Sequence, residues 1–295
     1  MAESLKILFV INPGSGPKAT TNWEASIRSY FLNLPHDIHF FLLNGKNDAE
    51  TLAGWIKNES PQRVVAVGGD GTVSLVAEHL MNTNICMGIL PAGSANGMAK
   101  ELNIPSSPEG ALNILLNGVI KDTDIIRIND NNISIHLSDI GMNAQIIKYF
   151  EEGKIRGKLA YARMLIKALW KSELMRVKID MNGSVITTGA FMVVIANASK
   201  YGTGAMINPE GNLYDGKFEV VIVRRIALSE FLKLFFRYRK FDPKKVEVFQ
   251  TTSVVLETKK KVHFQVDGEY LGKITRVKAV IEPSKLKLML PCTNS

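Results

Sequence analysis

The chain has 295 residues, of which 46% are hydrophobic, enough to fill the cores of one large domain or two ordinary ones. Its net charge of +8 favours polyanionic partners, a class that includes nucleic acid, anionic membranes and nucleotide phosphates. Two cysteines, Cys86 and Cys292, exclude a disulfide framework or a cysteine metal cluster. The longest apolar run, AFMVVIANA, is far shorter than the roughly 20 residues of a membrane-spanning helix, so we expect a soluble, cytoplasmic protein.

The N-terminal part alternates strand and helix patterns. KILFVI, RVVAV and ICMGIL are continuous apolar runs, typical of parallel strands that are covered on both faces. Apolar residues recur at helical spacing between these runs, at Trp23, Ile27, Phe31 and Leu34 and at Leu52, Trp55 and Ile56. The sequence therefore predicts an α/β domain over residues 1–125, with a mostly parallel, Rossmann-like layered sheet.

After KDTDIIRIND the pattern changes to short alternating or β-branched runs. Asn182-Gly183, between RVKID and SVITT, is a strong hairpin signal. Two basic helical segments, KLAYARMLIKALWK and LSEFLKLFFRYRK, interrupt the strands. We predict an antiparallel β-rich domain over residues 126–283, with residues 284–295 either in this domain or completing the first. We expect the active site in a cleft between the two domains.

Three glycine-rich turns follow strands of the predicted parallel sheet: INPGSGPK, VGGDGTV and LPAGSANGMAK. Such turns offer converging backbone N–H donors and a helix N-terminus to a phosphate, and ligands bind beyond the carboxyl ends of parallel strands. Neither a P-loop pattern nor G-x-G-x-x-G followed by an acidic residue is present. The three turns together predict an anion-binding edge of another kind.

Asp70 stands among the glycines of the second turn, where a bare carboxylate would repel a phosphate. With Mg²⁺ present the interaction reverses, because the carboxylate holds the metal and the metal bridges phosphate oxygens. Asp70 is therefore predicted to act at a metal-bound phosphate. Asp-Gly is also ordinary turn chemistry, but a plain turn explains neither the three glycines nor the neighbouring turns.

GGDGT, the upstream NPGSG, and LPAGSANGMAKEL followed by NIP resemble the catalytic domain of the diacylglycerol kinase family, which includes bacterial lipid kinases and sphingosine kinases. SDIGMNAQI, ANASKYGTG, NPEGNLYDGKFEVVIV, VDGE and PSKLKLMLP continue the resemblance through the second domain. It implies an NAD kinase/diacylglycerol kinase-like fold, and a kinase that uses ATP and Mg²⁺ to phosphorylate a lipid alcohol. Contact with an anionic membrane surface at the inner membrane and a homodimer are compatible with it, whereas no nucleic-acid module is recognised.

The resemblance also implies site residues. Those implied to contact ATP are Asn12, Pro13, Gly14, Ser15, Gly16, Lys18, Gly68, Gly69, Asp70, Gly71, Thr72, Gly93 and Ser94. Asp215, with the main-chain carbonyls of Asn212 and Lys217, matches a second, structural Mg²⁺ site. Glu269 matches the general base and, with Asp70, the catalytic pair.

Local sequence supports simpler interpretations of several of these residues. Asp215-Gly216 and Asp267-Gly268 both read as hairpin turns, and Lys18 reads as a solvated side chain. The run Lys259 to Lys261 reads as a solvated loop, and the basic helical segments read as core-packed helices with a basic outer face. The five histidines show no metal-ligand spacing.

Two departures from the family pattern keep other functions open. Ser74 and Leu75 replace an Asn-Glu pair, and Gly97 replaces an Asp found in many bacterial members. A catalytically silent, nucleotide-binding regulatory protein is one alternative. NAD kinase is another, although its Asn-Glu pair and its TPTGSTAY-like stretch are missing.

Overall fold

The computed structural model describes residues 4–16, 22–151, 174–201, 204, 206–225 and 241–292. It consists of two compact units: unit 1 is Met1–Thr123 with Ser284–Ser295, and unit 2 is Asp124–Pro283. The boundaries of the domains predicted from the sequence differ from these by two residues at most. Lys18 and the two basic helical segments, 158–171 and 228–240, lie outside the described residues.

Unit 1 is a layered α/β unit. Its helices and strands are β1 (Lys6–Ile11), α1 (Trp23–Phe31), β2 (Asp37–Leu42), α2 (Asp48–Glu59), β3 (Arg63–Gly68), α3 (Asp70–Leu80), β4 (Cys86–Pro91), α4 (Gly97–Glu101), α5 (Pro108–Asn117) and the start of β5 (Val119–Ile128). The strand order is β2-β1-β3-β4, with every neighbouring pair parallel. The end of β14 (Glu269–Leu290) pairs with β4, also in parallel. The prediction of a mostly parallel sheet is confirmed.

Burial explains the elements of unit 1. Every residue of β4 and all but the first residue of β1 and β3 are buried, as strands covered by helices require. The apolar faces of α1 and α3 are buried too. β2 was not predicted. It is an edge strand in which no residue is fully buried, and polar Asp37 and His39 interrupt the apolar pattern in its first half.

Unit 2 is β-rich and antiparallel. After the rest of β5 it contains β6 (Asn132–Ser134), β7 (Leu137–Gly141), α6 (Met142–Glu151), β8 (Met175–Met181), β9 (Ser184–Ala190), β10 (Met192–Ala196), β11 (Phe218–Val223), β12 (Val246–Thr251), β13 (Ser253–Val266) and most of β14. The strand order is β12-β11-β10-β7-β13-β14, and β8 pairs with both β13 and β9. Neighbouring strands run antiparallel, as predicted.

Two hairpin turns of unit 2 have the geometry that their sequences predict. Asn182 and Gly183, between β8 and β9, have φ values of 50° and 89°. Asp267 and Gly268, between β13 and β14, have values of 47° and 93°. Two successive positive φ angles are typical of the tight turn that matches strand twist. The prediction of a solvated loop at Lys259 to Lys261 was wrong, because these exposed lysines lie within β13.

Among the described residues, no helix is both long and apolar enough to cross a membrane.

Candidate active site

The three glycine-rich turns come together at one edge of the unit 1 sheet. They follow β1, β3 and β4, which are neighbours in the sheet and run in the same direction. The Asn12 backbone N–H donates to the Val67 carbonyl at 3.0 Å, and the Asn12 amide donates to Thr72 Oγ1 at 3.4 Å. The N–H groups of Ala92 and Gly93 donate to the Gly68 carbonyl at 3.0 and 3.1 Å. The turn after β3 is therefore bonded to the turns on both sides of it.

Glycine is required where these turns touch. A Cβ on Gly93 would overlap the Cα of Gly69, and one on Gly16 would overlap the carbonyl oxygen of Ala92. Gly16 also has a φ of +79°, which side chains rarely adopt. The glycines thus allow three backbone segments to approach one another without intervening side chains.

The N-terminus of α3 lies within this group of turns. Its N-cap residue is Gly69, which has no side chain to cap the helix. The first N–H groups of an α-helix have no partner within the helix, and together with the helix dipole they attract anions. The geometry therefore suits a phosphate at Asp70, Gly71 and Thr72, the first turn of α3.

Asp70 connects α3 to the turn after β4. Its Oδ2 accepts a hydrogen bond from the Gly97 N–H at 2.9 Å, and its Oδ1 accepts one from the Met98 N–H at 3.0 Å. The side chain is only partly buried. Each carboxylate oxygen keeps a second lone pair, so these bonds orient the carboxylate without excluding a metal ion.

The turn after β4 contributes differently from what its glycines suggested. The Gly93 N–H donates to Asn96 Oδ1 at 2.8 Å as well as to the Gly68 carbonyl, so it is used within the protein. The Asn96 amide also donates to the carbonyls of Pro91 and Gly93. Gly93 therefore provides close backbone approach, Asn96 holds the turn in shape, and Ser94 is exposed beside them. The role of Asn96 was not predicted from the sequence.

The turn that contains Asn212, Asp215 and Lys217 lies in unit 2, just before β11. Asp215 is exposed, and its carboxylate accepts hydrogen bonds from the Lys217 N–H at 3.0 Å and from the Gln250 amide at 3.2 Å. The Gln250 amide also donates to Glu219 at 3.1 Å. Burial raises the pKa of Glu219, and the nearby charge of Asp215 raises it further. Asp215 and Glu219 therefore share the Gln250 amide as a hydrogen-bond donor.

Glu269 is the first residue of β14 and pairs with Val266 across the Asp267-Gly268 turn. Its side chain is exposed, whereas that of Asp267 is buried. The Asp267 carboxylate accepts hydrogen bonds from Ser134 Oγ at 2.6 Å, from the Ile135 N–H at 2.8 Å and from the His136 N–H at 3.1 Å. The turn that presents Glu269 is therefore bonded to the segment between β6 and β7.

A second buried carboxylate supports the same turn. Asp139, on β7, is fully buried and accepts a hydrogen bond from the Gln265 amide at 2.5 Å. The Gln265 amide oxygen in turn accepts one from the Gly268 N–H at 2.8 Å. Burial raises the pKa of Asp139 to about 6, although hydrogen bonds from Asn143, Gln265, the Ala144 N–H and Tyr201 oppose the shift. This chain of bonds leads from the core of unit 2 to the residue before Glu269.

Among the described residues, no group of three or more His, Cys, Asp or Glu side chains is arranged to hold a metal ion.

The resemblance to the diacylglycerol kinase family implied a fold of the diacylglycerol kinase and NAD kinase class, and comparison with known proteins confirms this fold class. A putative diacylglycerol kinase structure from Bacillus anthracis superposes with a TM-score of 0.79 over 98% of both chains, at 18% identity. An NAD kinase from Archaeoglobus fulgidus, solved in complex with ATP, gives a TM-score of 0.55 at 10% identity, over 96% of this chain and 93% of that one. At these identities the similarity shows the fold alone.

Family models identify both halves of the chain. The diacylglycerol kinase catalytic domain matches residues 6–128, and the YegS C-terminal NAD kinase beta sandwich-like domain matches residues 138–290. The chain belongs to the diacylglycerol kinase family. A putative lipid kinase of Staphylococcus carnosus is 26% identical over 232 residues, 76% of this chain and 75% of that protein. Diacylglycerol kinase of Bacillus subtilis is 23% identical over 275 residues, 90% of each chain.

Proposed function

We propose that the protein is an ATP- and Mg²⁺-dependent lipid kinase, which transfers the γ-phosphate of ATP to the hydroxyl of a lipid such as diacylglycerol or a sphingoid base. The observation that carries the proposal is the convergence of three glycine-rich turns, with Asp70, around the N-terminus of α3. The N-cap residue of this helix is a glycine, so no side chain caps its first N–H groups. The names of the relatives, a diacylglycerol kinase and a putative lipid kinase, support the choice of a lipid acceptor.

In this proposal the unit 1 turns bind the nucleotide. The first turn of α3 holds the phosphates through its backbone N–H groups, and the glycines keep side chains out of their way. Asn12 and Ser15 shape the first turn, since Asn12 Oδ1 accepts from the Gly14 N–H at 3.0 Å and Ser15 Oγ donates to the Asn12 carbonyl at 2.8 Å. Pro13 and Gly14 are exposed in that turn, where a nucleotide can reach them.

Asp70 and Asp215 are the proposed metal ligands, with the carbonyls of Asn212 and Lys217 beside Asp215. When bound, Mg²⁺ would neutralise charge on the phosphates. Asp70 is already oriented by the Gly97 and Met98 N–H groups, so its carboxylate would lose little freedom on binding the ion.

Glu269 is the proposed general base. An exposed glutamate that begins a strand can accept the proton of an alcohol, and its position is held by the buried contacts of Asp267 and Gln265. Phosphoryl transfer requires mainly positioning and charge neutralisation from the protein, so one base and a metal-bound triphosphate are sufficient. The proposal includes a cytoplasmic protein that contacts the inner membrane surface peripherally.

The test is transfer of radiolabelled phosphate from ATP to a panel of lipid alcohols in mixed micelles. Wild type should label at least one lipid, and Glu269→Gln should lower kcat by about 100-fold or more while ATP binding is retained. Asp180→Asn, which changes a carboxylate beside the other hairpin turn, should keep full activity. Full activity of Glu269→Gln would remove the base assignment and leave the kinase proposal in place. If wild type binds ATP and labels no lipid, the silent regulatory protein is favoured instead.

A further inference from the structure

A cavity of about 550 Å³ lies in unit 2, where the start of α6 meets β8, β13 and β14. This volume lies within the range typical of small-molecule sites. Its described lining includes none of the residues proposed above for ATP, Mg²⁺ or proton transfer. The cavity therefore calls for its own explanation.

Part of the lining is apolar. The residues concerned are Met142, Leu174, Met175, Phe191 and Val262. Met142 and Met175 are buried and unbranched, so their side chains can adapt to an apolar ligand. Leu174 is 58% exposed, a cost that an apolar ligand lying against it would relieve.

The rest of the lining is strongly basic. Its charged residues are Arg176, Lys259, Lys260, Lys261 and Lys273, and no acidic residue is found among the described lining residues. The nearby Glu257 does not neutralise them, because it pairs with Lys178 at 3.4 Å and with Arg276 at 3.5 Å. Like charges held this close repel one another until an anion binds.

The position of the three consecutive lysines has a structural cause. Side chains of a regular strand alternate between its two faces. The pairing of β13 with β14 shifts register between Glu257 and Val262, so Lys259, Lys260 and Lys261 fall in an irregular stretch. All three consequently line the same cavity.

His263 adds hydrogen-bonding capacity to the cavity without adding charge. Its Nδ1 lies 2.8 Å from the Tyr270 hydroxyl. Burial lowers the pKa of His263, and the charges of Lys273 and Lys148 lower it further, so the imidazole is neutral at pH 7. Apolar surface, five cations and a neutral polar group together match a molecule with an acyl chain and an anionic head.

We propose that this cavity binds one anionic phospholipid of the membrane, with its phosphate at Lys259, Lys260 and Lys261 and an acyl chain against Met142, Met175 and Phe191. Nucleic acid fits less well, because it would leave the apolar lining without a partner. Binding does not require kinase activity, so it is measured without ATP, and its failure would leave the proposed reaction untouched.

The first experiment is sedimentation of the full chain with phosphatidylcholine vesicles that contain either no anionic lipid or one-quarter phosphatidylglycerol. Wild type should bind the anionic vesicles. The triple variant Lys259→Gln, Lys260→Gln, Lys261→Gln should bind them with an affinity lower by about tenfold or more, because each lysine near an anionic surface raises the affinity several-fold. A matched triple variant, Lys46→Gln, Lys57→Gln, Lys244→Gln, changes the net charge equally at exposed lysines outside the cavity lining. Its binding to the anionic vesicles should weaken by less than about threefold. Equal loss in both variants would overturn the proposal in favour of overall charge.

The second experiment tests for a chain-binding site with soluble probes. Calorimetry should show tighter binding of dihexanoyl phosphatidic acid, below its micelle concentration, than of glycerol 3-phosphate. The variant Leu174→Ser should weaken binding of the first probe only. Equal affinities for the two probes would mean an anion site without lipid recognition and would overturn the proposal. Phosphatidic acid is also the product that phosphorylation of diacylglycerol would give, so the response to Leu174→Ser, at a residue outside the proposed active site, distinguishes this cavity from that site.

Discussion

Asp70 Oδ2 accepts a hydrogen bond from the backbone N–H of Gly97 at 2.9 Å. Gly97 begins α4 in the chain position where many family members have an aspartate. The Asp70 carboxylate therefore accepts a hydrogen bond from the backbone of the residue that replaces this aspartate. The departure from the family pattern thus leaves the turn after β4 attached to α3. Asp70 combines a structural role with its proposed role at the metal.

Asp70→Asn separates these two roles. The amide would place an N–H₂ group against the N–H of Gly97 or Met98, and losing that hydrogen bond should lower the free energy of unfolding by about 1 kcal/mol. Removing the charge should also weaken binding of Mg²⁺-ATP, measured by calorimetry, more than binding of ATP in EDTA.

Asp48→Asn is the matched control. Asp48 also accepts two backbone N–H bonds, from Asn44 at 3.1 Å and Gly45 at 2.8 Å, but in the turn before α2. It should lose similar stability and keep its affinity for Mg²⁺-ATP. Equal Mg²⁺-ATP binding by Asp70→Asn and wild type would contradict the metal role of Asp70.

Gly93→Ala tests the contact between the turns after β3 and β4. The new Cβ would overlap the Cα of Gly69, and because both partners are backbone, the turns must move apart. We expect loss of ATP binding and a free energy of unfolding lower by about 1–3 kcal/mol. In Gly54→Ala the new Cβ meets no atom within 4 Å in the middle of α2, so stability should rise by about 0.5–1 kcal/mol and ATP binding should not change. ATP binding by Gly93→Ala at wild-type affinity would show that close approach of these turns is unnecessary.

The sequence predicted unit 1 well because its signals are local. Continuous apolar runs marked β1, β3 and β4, and glycine-rich turns followed each of them. Since the three strands are adjacent and parallel, positions along the chain translated directly into one edge of the sheet. The edge strand β2 has a shorter apolar run, preceded by His39, and was missed.

The supports of Glu269 could not be predicted, because they depend on pairing between distant segments. Asp267 looked like a turn residue, and the structure confirms the turn, but the bonds of its carboxylate to Ser134, Ile135 and His136 span more than 130 positions of sequence. Asp139 gave a weak signal, as an acidic residue in a strand whose neighbours are buried. Its partner Gln265 gave none.

Asp267→Asn should impair positioning of Glu269. Asn offers one oxygen where two carboxylate oxygens now accept three hydrogen bonds, so at least one buried donor loses its partner. The free energy of unfolding should fall by about 1–3 kcal/mol. If Glu269 is the base, kcat for lipid phosphorylation should fall by about tenfold while the KM for ATP stays unchanged.

Asn182→Ala provides the comparison for that variant. It disturbs the other hairpin of unit 2, where Asn182 has a positive φ and its amide donates to Thr251 and Thr252. Its stability should fall as well, but its kcat should not. Loss of kcat in both variants would show that Asp267 acts only through general stability.

Asp139 should make stability depend on pH. Its pKa is about 6 in the folded protein, against 3.8 for an ordinary aspartate, because burial disfavours the charged form. As pH rises from about 4, the unfolded chain loses this proton first, so the folded state loses stability until about pH 6 and the loss is constant above that. The difference in pKa corresponds to roughly 3 kcal/mol. In urea unfolding, wild type should lose most of that amount, roughly 2.4 kcal/mol, between pH 4 and pH 7 relative to Asp139→Asn, which cannot titrate there. Asn143→Ala removes a hydrogen bond that favours the carboxylate, so its loss over the same range should exceed that of wild type. Identical pH dependence in wild type and Asp139→Asn would show that Asp139 keeps an ordinary pKa in the folded protein.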